Sequence, residues 1–513
     1  MDDGALDFPR GFVIGGPAPS SYVTRTPAVP GLLVHPWCEV ASAADEAGRF
    51  VVVLGTCVPI DAVRPSDPAR ELLDHLTVSE ESMFAALSLW AGRYAIVYGR
   101  PDDVRVMGDA TGMRAVFYAE QGGIAASHAL LVERALGGEI ERRDVPSRYG
   151  HPGHHTPYAR TRLLTPNTVL DLGAGRVRRY WPDAVIPERA VDDVARDCLT
   201  WASNALRNIA EHHPVRIAVT AGLDSRALVA VALHAGVTAE TYTYGDRPDT
   251  RIDRLVAPVV AQQAGLPHTV LPTMPLGDDV AEALAEAHYR AHHILAVPTL
   301  SAWIQERNTV AVTANLLEIG RSFYKRFRDV AEPPVDPESM RHMHQLSMGN
   351  RGKAYAAPEV IPVAQEAFAD WIEATDFNAA RGLIDPDDQF YWEHRMGTWH
   401  GPAMVERDFY AEPFIPFNAR AVFTAMLGID RDDRDSGAVL HRLIDLVDPE
   451  LHSVPINPKR WPPKAPARSA SDDAPREPVP VPVAAPEPAE QRRWWQVWRA
   501  RQERRSPSGS QHS

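Results

Sequence analysis

The stretch VRIAVTAGLDSRALVAVAL, from Val215 to Leu233, changes its hydrophobic period part-way along. Val215 to Val219 is short, apolar and β-branched, which predicts a buried strand. After Arg226 come Ala, Leu and Val without breakers, and then Gly236, which predicts a helix and its stop. A small-residue turn and an aspartate separate the two. A strand feeding a helix through such a turn gathers backbone N–H groups and the positive end of the helix at one point. That point suits an anion, phosphate above all.

The same alternation runs on. Val191 to Ala210 reads as a helix, AETYTYG (Ala239 to Gly245) as a strand, and Arg251 to Ala264 as a helix. HTVLP (His268 to Pro272) and NTVAVT (Asn308 to Thr313) read as further strands, and after about 335 the pattern is mostly helical up to Val447. Such alternation implies a parallel sheet with right-handed crossovers. Residues 1 to about 145 differ. GRYAIVYG, VRVMGDA, AVFYAE and IAASH are short runs separated by turn signals, which predicts hairpin-type antiparallel structure. PNTVLDLGAGRVRRYWP (Pro166 to Pro182) reads as one more hairpin around Gly173 and Gly175.

At 513 residues the chain is long enough for two domains and a tail. The boundaries fall at 1–185, 190–462, a Pro/Ala-rich linker at 463–490 and a basic Trp/Arg segment at 491–513. A net charge of −14 argues against general nucleic-acid binding. Cys38, Cys57 and Cys198 have unrelated spacings and make neither a disulfide framework nor a metal knuckle. MDDGALDFPR is acidic and lacks an apolar core region, and no apolar run is long enough to span a bilayer. The expectation is a soluble cytoplasmic protein. The segment QRRWWQVWRARQERR offers either a weak contact with an anionic membrane surface or a disordered tail.

At the turn, Ala221 and Gly222 let backbone approach an oxyanion, and Thr220 and Ser225 offer hydroxyl donors. Asp224 would repel phosphate unless it holds Mg²⁺ bridging the phosphates. The turn lacks the Gly-Lys-Ser of a Walker A loop and the Gly-x-Ser-x-Gly of a nucleophile elbow. An ordinary strand-to-helix turn with a capping Asp or Ser is the alternative reading.

The turn resembles the Ser-Gly-Gly-x-Asp-Ser pyrophosphate loop of the asparagine synthetase family, the N-type ATP pyrophosphatases. GRYAIVYG, GDATGMRAVFYA and IAASH resemble the glutamine-amidotransferase-type domain of that family. LLTPNTVLDLGAGRVRRYWP resembles its interdomain segment, and Asp253, Ala257 and His268 recur at family-like spacing. The matches run from about residue 90 to 460. The implied fold is α/β: an antiparallel αββα amidotransferase-like domain, then a parallel-sheet domain like those of adenine nucleotide alpha hydrolases, finished by helices. The implied reaction is ATP-dependent amide formation through an acyl-adenylate, with ATP and Mg²⁺ as cofactors. By resemblance, Val219, Tyr244 and Thr313 join Thr220, Ala221, Gly222, Asp224 and Ser225 at the nucleotide, with Val219 and Tyr244 flanking adenine through their backbone. Glu318, in Thr-Ala-Asn-Leu-Leu-Glu, falls where the family has a second magnesium-binding carboxylate beside Asp224. AEPFIPF puts Glu412 at a catalytic glutamate, and PINPKRW puts Lys459, or else Arg460 or Lys464, at a catalytic lysine.

The chain departs from the family in three places. Thr-Ala-Gly replaces Ser-Gly-Gly, which leaves one Cβ near the phosphates. Glu318 replaces an aspartate. No cysteine follows the initiator methionine, where the family's glutaminase thiolate stands, so no glutaminase activity is expected. The substrates would be a small-molecule carboxylate and either ammonia, with a separate glutaminase as one source, or an amine. Relatives without that cysteine include cyclases such as β-lactam synthetases. A non-catalytic nucleotide-binding or scaffold protein of synthetase descent is the competing expectation. His151, His154 and His155 lie in a Gly/Pro loop without a clear further ligand, and the pairs His212-His213 and His292-His293 diverge on helices, so no metal is expected of them. Trp392, Met396 and Trp399 form a helical stripe expected in the core.

Overall fold

The computed structural model describes residues 6–143, 150–288, 296–304, 306, 308–324, 335–347 and 356–462. The linker, the Trp/Arg tail, Lys464, His292-His293 and the first residues of the chain lie outside this set. Met1–Trp461 is one compact unit; a second, Pro462–Ser513, is described only at its first residue.

The first half carries eleven described strands in chain order: β1 (Phe12–Ile14), β2 (Leu32–Val34), β3 (Val40–Ala44), β4 (Phe50–Pro59), β5 (Trp90–Arg100), β6 (Asp103–Gly108), β7 (Phe117–Ala119), β8 (Ala125–Ala126), β9 (Thr161–Leu163), β10 (Thr168–Asp171) and β11 (Arg176–Arg179). They form two antiparallel sheets, ordered β2-β1-β8-β7-β9 and β11-β10-β6-β5-β4-β3. Alternation along β4 decides how they pack. Phe50, Val52 and Leu54 face the smaller sheet and meet Phe12, Ile14 and Val34. Val51 and Val53 face the other way, against Leu72, Leu73, Met83 and Leu87.

Those last residues belong to the helices Pro68–Val78 and Glu80–Leu87, which strand-dominated patterning did not anticipate. Their caps are legible in the sequence. Asp67 accepts from the Arg70 N–H at 3.1 Å with Pro68 in the first turn, and Ser79 accepts from the Ser82 N–H at 3.1 Å. The helix Ala129–Leu136 packs on β7, β8 and β9, which completes four layers of the αββα kind. Asp109 of the GDATGMR segment binds this half together. Its carboxylate accepts from the N–H groups of Tyr94, Thr111, Met113 and Arg114 and from Asn418 Nδ2.

The second half is a parallel sheet of β12 (Val215–Ala218), β13 (Glu240–Tyr244), β14 (His268–Leu271), β15 (Val310–Val312) and β16 (Glu412–Phe414). The order is β14-β13-β12-β15-β16, and every pairing is parallel. The helix Leu223–Ala235 is apolar almost all round and buried; it stops at Gly236, which takes the left-handed conformation (φ 65°). Trp392 and Met396 are buried in the core as expected, on a wide π-type helix, Tyr391–His400; Trp399 is half-buried beneath the Arg395 guanidinium. Ile60, Ala91, Ala110 and Met113 from the first half share one hydrophobic cluster with Val215, Ile217 and Val219 of the second.

β16 was missed by periodicity because Pro413 interrupts it. As an edge strand it tolerates a proline. Its register corrects the expected role of Glu412. Glu412 pairs with Val310, and Val310 with Val215, so Glu412 is level with the start of β12. Thr220 is five positions further along, roughly 16 Å at strand rise. Glu412 therefore stands at the opposite end of the sheet from the turn.

There it is buried in an ion cluster. Glu412 Oε1 accepts from Arg114 Nη2 at 2.9 Å and Arg93 Nη1 at 3.4 Å, and Oε2 lies 3.5 Å from Arg10 Nη1. Arg93 also grips Asp408 in a two-pronged pair at 2.5 and 2.8 Å. Burial pushes the Glu412 carboxyl up, but Arg114, Arg93 and Arg10 outweigh it and hold the group below the usual glutamate range. The carboxylate stays ionised and committed to the arginines, a poor proton acceptor. Removing one partner from such a buried cluster strands the other charge. Glu412→Gln should lower stability to urea by about 3 kcal/mol; unchanged stability would show that the cluster carries none of the fold.

Candidate functional site

The chain leaves β12 toward β13 and β14, then returns to the other side of β12 for β15 and β16. The strand order thus reverses between β12 and β15. In open parallel sheets the crevice at such a reversal, at the carboxyl ends of the strands, is where ligands bind. The turn Val219–Gly222 lies at that end of β12. Register brings Tyr244, at the end of β13, and Thr313, just past β15, to the same edge.

The turn is held by its own hydrogen bonds. Ser225 Oγ accepts from the Thr220 N–H at 3.1 Å and lies 2.9 Å from Thr220 Oγ1. The Gly222 N–H donates to Thr220 Oγ1 at 3.2 Å. The Ala221 N–H donates to Asp253 Oδ1 at 2.8 Å. Ser225 is buried and shapes the turn, whereas Thr220 is exposed on it. The expected Cβ beside the phosphates does not arise. Ala221 is fully buried, and its methyl belongs to the core. No side chain caps the helix that starts at Leu223, and Asp224 is the acidic residue of its first turn.

Val219 also differs from expectation. Its N–H donates to Tyr242 O at 2.9 Å, its carbonyl accepts from Thr243 Oγ1 at 2.6 Å, and its side chain is buried. It forms the floor of the site and offers no free backbone group to a base. Thr243 in turn meets His268 Nε2 at 3.2 Å, and Thr241 meets His268 Nδ1 at 2.8 Å. Burial lowers the His268 pKa to about 4, so the ring is neutral. Asp253 thus holds the turn directly and His268 acts on it through Thr243, while Ala257 is core.

Asp224 and Glu318 do converge. Arg321 Nη2 lies 2.8 Å from Asp224 Oδ1, 2.9 Å from Asp224 Oδ2 and 3.9 Å from Glu318 Oε1. One cation therefore reaches both carboxylates. Glu318 Oε2 also accepts from the Tyr391 hydroxyl at 2.6 Å. Thr313 Oγ1 is buried and has no hydrogen-bond partner among the described residues, although its N–H donates to Phe414 O. Carboxylate and hydroxyl oxygens suit a hard divalent cation such as Mg²⁺. Its entry requires the Arg321 guanidinium to swing aside.

Sequence reading missed what roofs the turn. Arg226 is fully buried, and its guanidinium donates to Leu451 O at 3.0 Å, to Val454 O, and to Pro455 O at 3.3 Å. That grip carries the chain back over the turn. The Asn457 N–H donates to Ala221 O at 3.0 Å, and the Asn457 side chain lies against Gly222. Lys459 follows two residues later and is exposed, as is Arg460. Arg321 was equally unforeseen, although it lies one turn beyond Glu318.

The histidine loop needs a correction as well. His154 Nε2 and His155 Nε2 lie 3.0 and 3.3 Å from Asp370 Oδ2, so a carboxylate does stand beside them. Burial lowers both imidazole pKa values, and the two donated N–H groups hold the Asp370 carboxyl well below its usual range. Cys38 and Cys57 are buried, and burial pushes the Cys38 thiol up to about 11 and Cys57 well above its usual value. Neither supplies a thiolate near neutral pH. No described helix is long and apolar enough to cross a membrane.

No protein-family model matches the chain, and no curated protein matches it. Among solved structures, NMN synthetase from Francisella tularensis aligns at 17% identity, over 43% of this chain and 97% of that one, with a TM-score of 0.22. Glutamine phosphoribosylpyrophosphate amidotransferase from B. subtilis, complexed with ADP and GMP, aligns at 13% identity over 55% of this chain and 59% of that one, TM-score 0.20. Glutamine-dependent NAD+ synthetase from Acinetobacter baumannii, in complex with ADP, aligns at 9% identity over 48% of this chain and 58% of that one, TM-score 0.20. The chain spans less than two thirds of the last two. Likenesses this slight say nothing of activity.

Proposed function

We propose that the protein is an ATP-dependent amide-forming synthetase. The observation that carries this reading is the turn at the strand-order reversal, with Asp224 and Glu318 reaching one cation beside it. In this reading a substrate carboxylate oxygen attacks the α-phosphorus of ATP and pyrophosphate leaves. An amine or ammonia then attacks the acyl-adenylate; AMP leaves and the nitrogen loses a proton. The open N-terminus of the helix from Leu223 and the exposed Thr220 hydroxyl bind the pyrophosphate end. Lys459, brought over the turn by Arg226, offsets charge on the pyrophosphate. Tyr244 and Thr313 bound the nucleotide on either side of β12. Asp224 and Glu318 would hold magnesium, which supplies charge neutralisation at the phosphates when bound. Glu412 takes no part in the chemistry. With Cys38 and Cys57 buried and protonated, the nitrogen comes from ammonia, from a separate glutaminase or from an amine-bearing substrate.

One observation favours a second reading, a nucleotide-free scaffold of synthetase descent. The Arg321 guanidinium already occupies the place between the carboxylates. Calorimetry separates the two. The synthetase reading expects the intact chain to take up Mg·ATP with a sub-millimolar Kd, weakened at least ~tenfold by Asp224→Ala, the scale of one charge-assisted contact. A chain that takes up no nucleotide at millimolar concentration is the scaffold.

Asp224 also ties function to stability. Burial and the nearby Glu318 raise its pKa to about 6 against the pull of Arg321. A raised carboxyl pKa means the folded state binds the proton more tightly than the unfolded one. Stability is then greatest below the ordinary carboxyl pKa of 3.8 and falls as pH rises through about 6. Above that the ionised group costs about 2–3 kcal/mol. Asp224→Asn should therefore be more stable than the parent at pH 7, lose that advantage below about pH 4, and fail to bind Mg·ATP. A variant less stable than the parent at pH 7 would contradict the buried-charge account.

A further inference from the structure

The loop His151–Thr156 and the helix Val360–Ala374 come together at a site unconnected with the nucleotide crevice. Gly153 makes the contact possible. At φ +60° it presses against Ala367 O, which an added Cβ would meet at 2.2 Å. The loop is tied on its other side to β9, where the Leu163 N–H donates to His154 O at 2.9 Å. Asp370 lies three residues past Ala367, on the same face of the helix.

Between these anchors, two adjacent histidines aim at one atom. Their rings stack at 18° with centroids 5.9 Å apart, and both Nε2 atoms approach Asp370 Oδ2. His154 is almost wholly buried, while the Asp370 side chain is 43% exposed and opens the site to solvent. The candidate ligand atoms all lie within 4.8 Å of one another. A tetrahedral ion with bonds of about 2.0–2.2 Å needs its ligand atoms about 3.3–3.6 Å apart. The present His–Asp separations of 3.0 and 3.3 Å need to open by only a few tenths of an ångström.

We propose that His154, His155 and Asp370 bind one zinc-class divalent metal ion, which clamps the loop to the helix. Two imidazole nitrogens and a carboxylate oxygen are a borderline donor set, suited to Zn²⁺ or Co²⁺ and not to Mg²⁺ or Ca²⁺. The fourth position faces a cavity of about 550 Å³. Glu366 lines it, one helical turn before Asp370, and Glu120 lines it too; either carboxylate is a candidate fourth ligand. Arg162, with Nε 3.5 Å from Asp370 Oδ2, and Arg143, which lines the same cavity, are the competing cations. Arg162 also pairs with Glu120 at 2.9 Å, so it keeps a partner when Oδ2 turns to the metal.

The test uses the full chain, stripped with a chelator and titrated with Co²⁺ and then Zn²⁺. The proposal expects one equivalent of Co²⁺ with the visible bands of a tetrahedral N/O site, bleached by Zn²⁺, and a higher Tm with either ion. Asp370→Asn and His155→Gln should each weaken binding at least ~tenfold, as loss of a ligand requires. His75→Gln, on a distant exposed helix position, should bind as the parent does. Thermal melting without metal reports whether each variant folds. The proposal is overturned if the parent takes up neither ion at micromolar concentrations, or if a folded Asp370→Asn or His155→Gln variant binds as tightly as the parent.

Discussion

The buried guanidinium of Arg226 is the interaction on which the crevice at the carboxyl edge of β12 depends. A cation in the core without a carboxylate beside it is costly unless carbonyls take up its donors. Both terminal nitrogens of Arg226 are so engaged, while its Nε has no partner among the described residues. Burial lowers the Arg226 pKa, and the carbonyls of Leu451, Val454 and Pro455 compensate. Because Arg226 is on the helix that the turn feeds, those three carbonyls fix the distal chain relative to the turn itself. Asn457 then closes on Ala221 and Gly222, and Lys459 follows two residues later, exposed. One side chain couples residues more than two hundred positions apart.

Around that coupling the site is built in two tiers. Few of the residues beside the crevice are free to meet a ligand. Asp253 and Ser225 spend their oxygens on the N–H groups of the turn, and Thr243 and His268 fix the Val219 carbonyl beneath it. Their effect is preorganisation: the turn has its shape before any phosphate arrives. Thr220, Asp224, Glu318, Thr313 and the open helix end remain for recognition. Asp224 carries the cost of this arrangement as a raised pKa, which a facing cation offsets only in part. Arg321 meets it in the present structure.

How much of this was legible in the sequence follows the range of the interactions. The helices Val191–Ala210 and Leu223–Ala235 and the strands β12 to β15 announce themselves through local period and through glycine stops such as Gly236. The turn's residue types also raise the expectation of an anion site without help from elsewhere. What failed was set by partners distant in the chain. Nothing within AEPFIPF says that β16 pairs with β15 at a register that sends Glu412 to the far end of the sheet. Nothing near His154 and His155 points to Asp370, which is more than two hundred residues away. The Ala221 methyl looked like an obstacle to phosphate, because sequence gives no indication that it turns into the core.

The central claim is that the carboxyl edge of β12 holds a magnesium nucleotide between Asp224 and Glu318. Crystals soaked with ATP and Mg²⁺ test it most directly. The account predicts triphosphate density over Thr220 and the first turn from Leu223, a metal touching both carboxylates, and Arg321 rotated away from Asp224. Triphosphate density at any other place on the molecule, or an intact Arg321–Asp224 pair beside an empty crevice at saturating nucleotide, would contradict it.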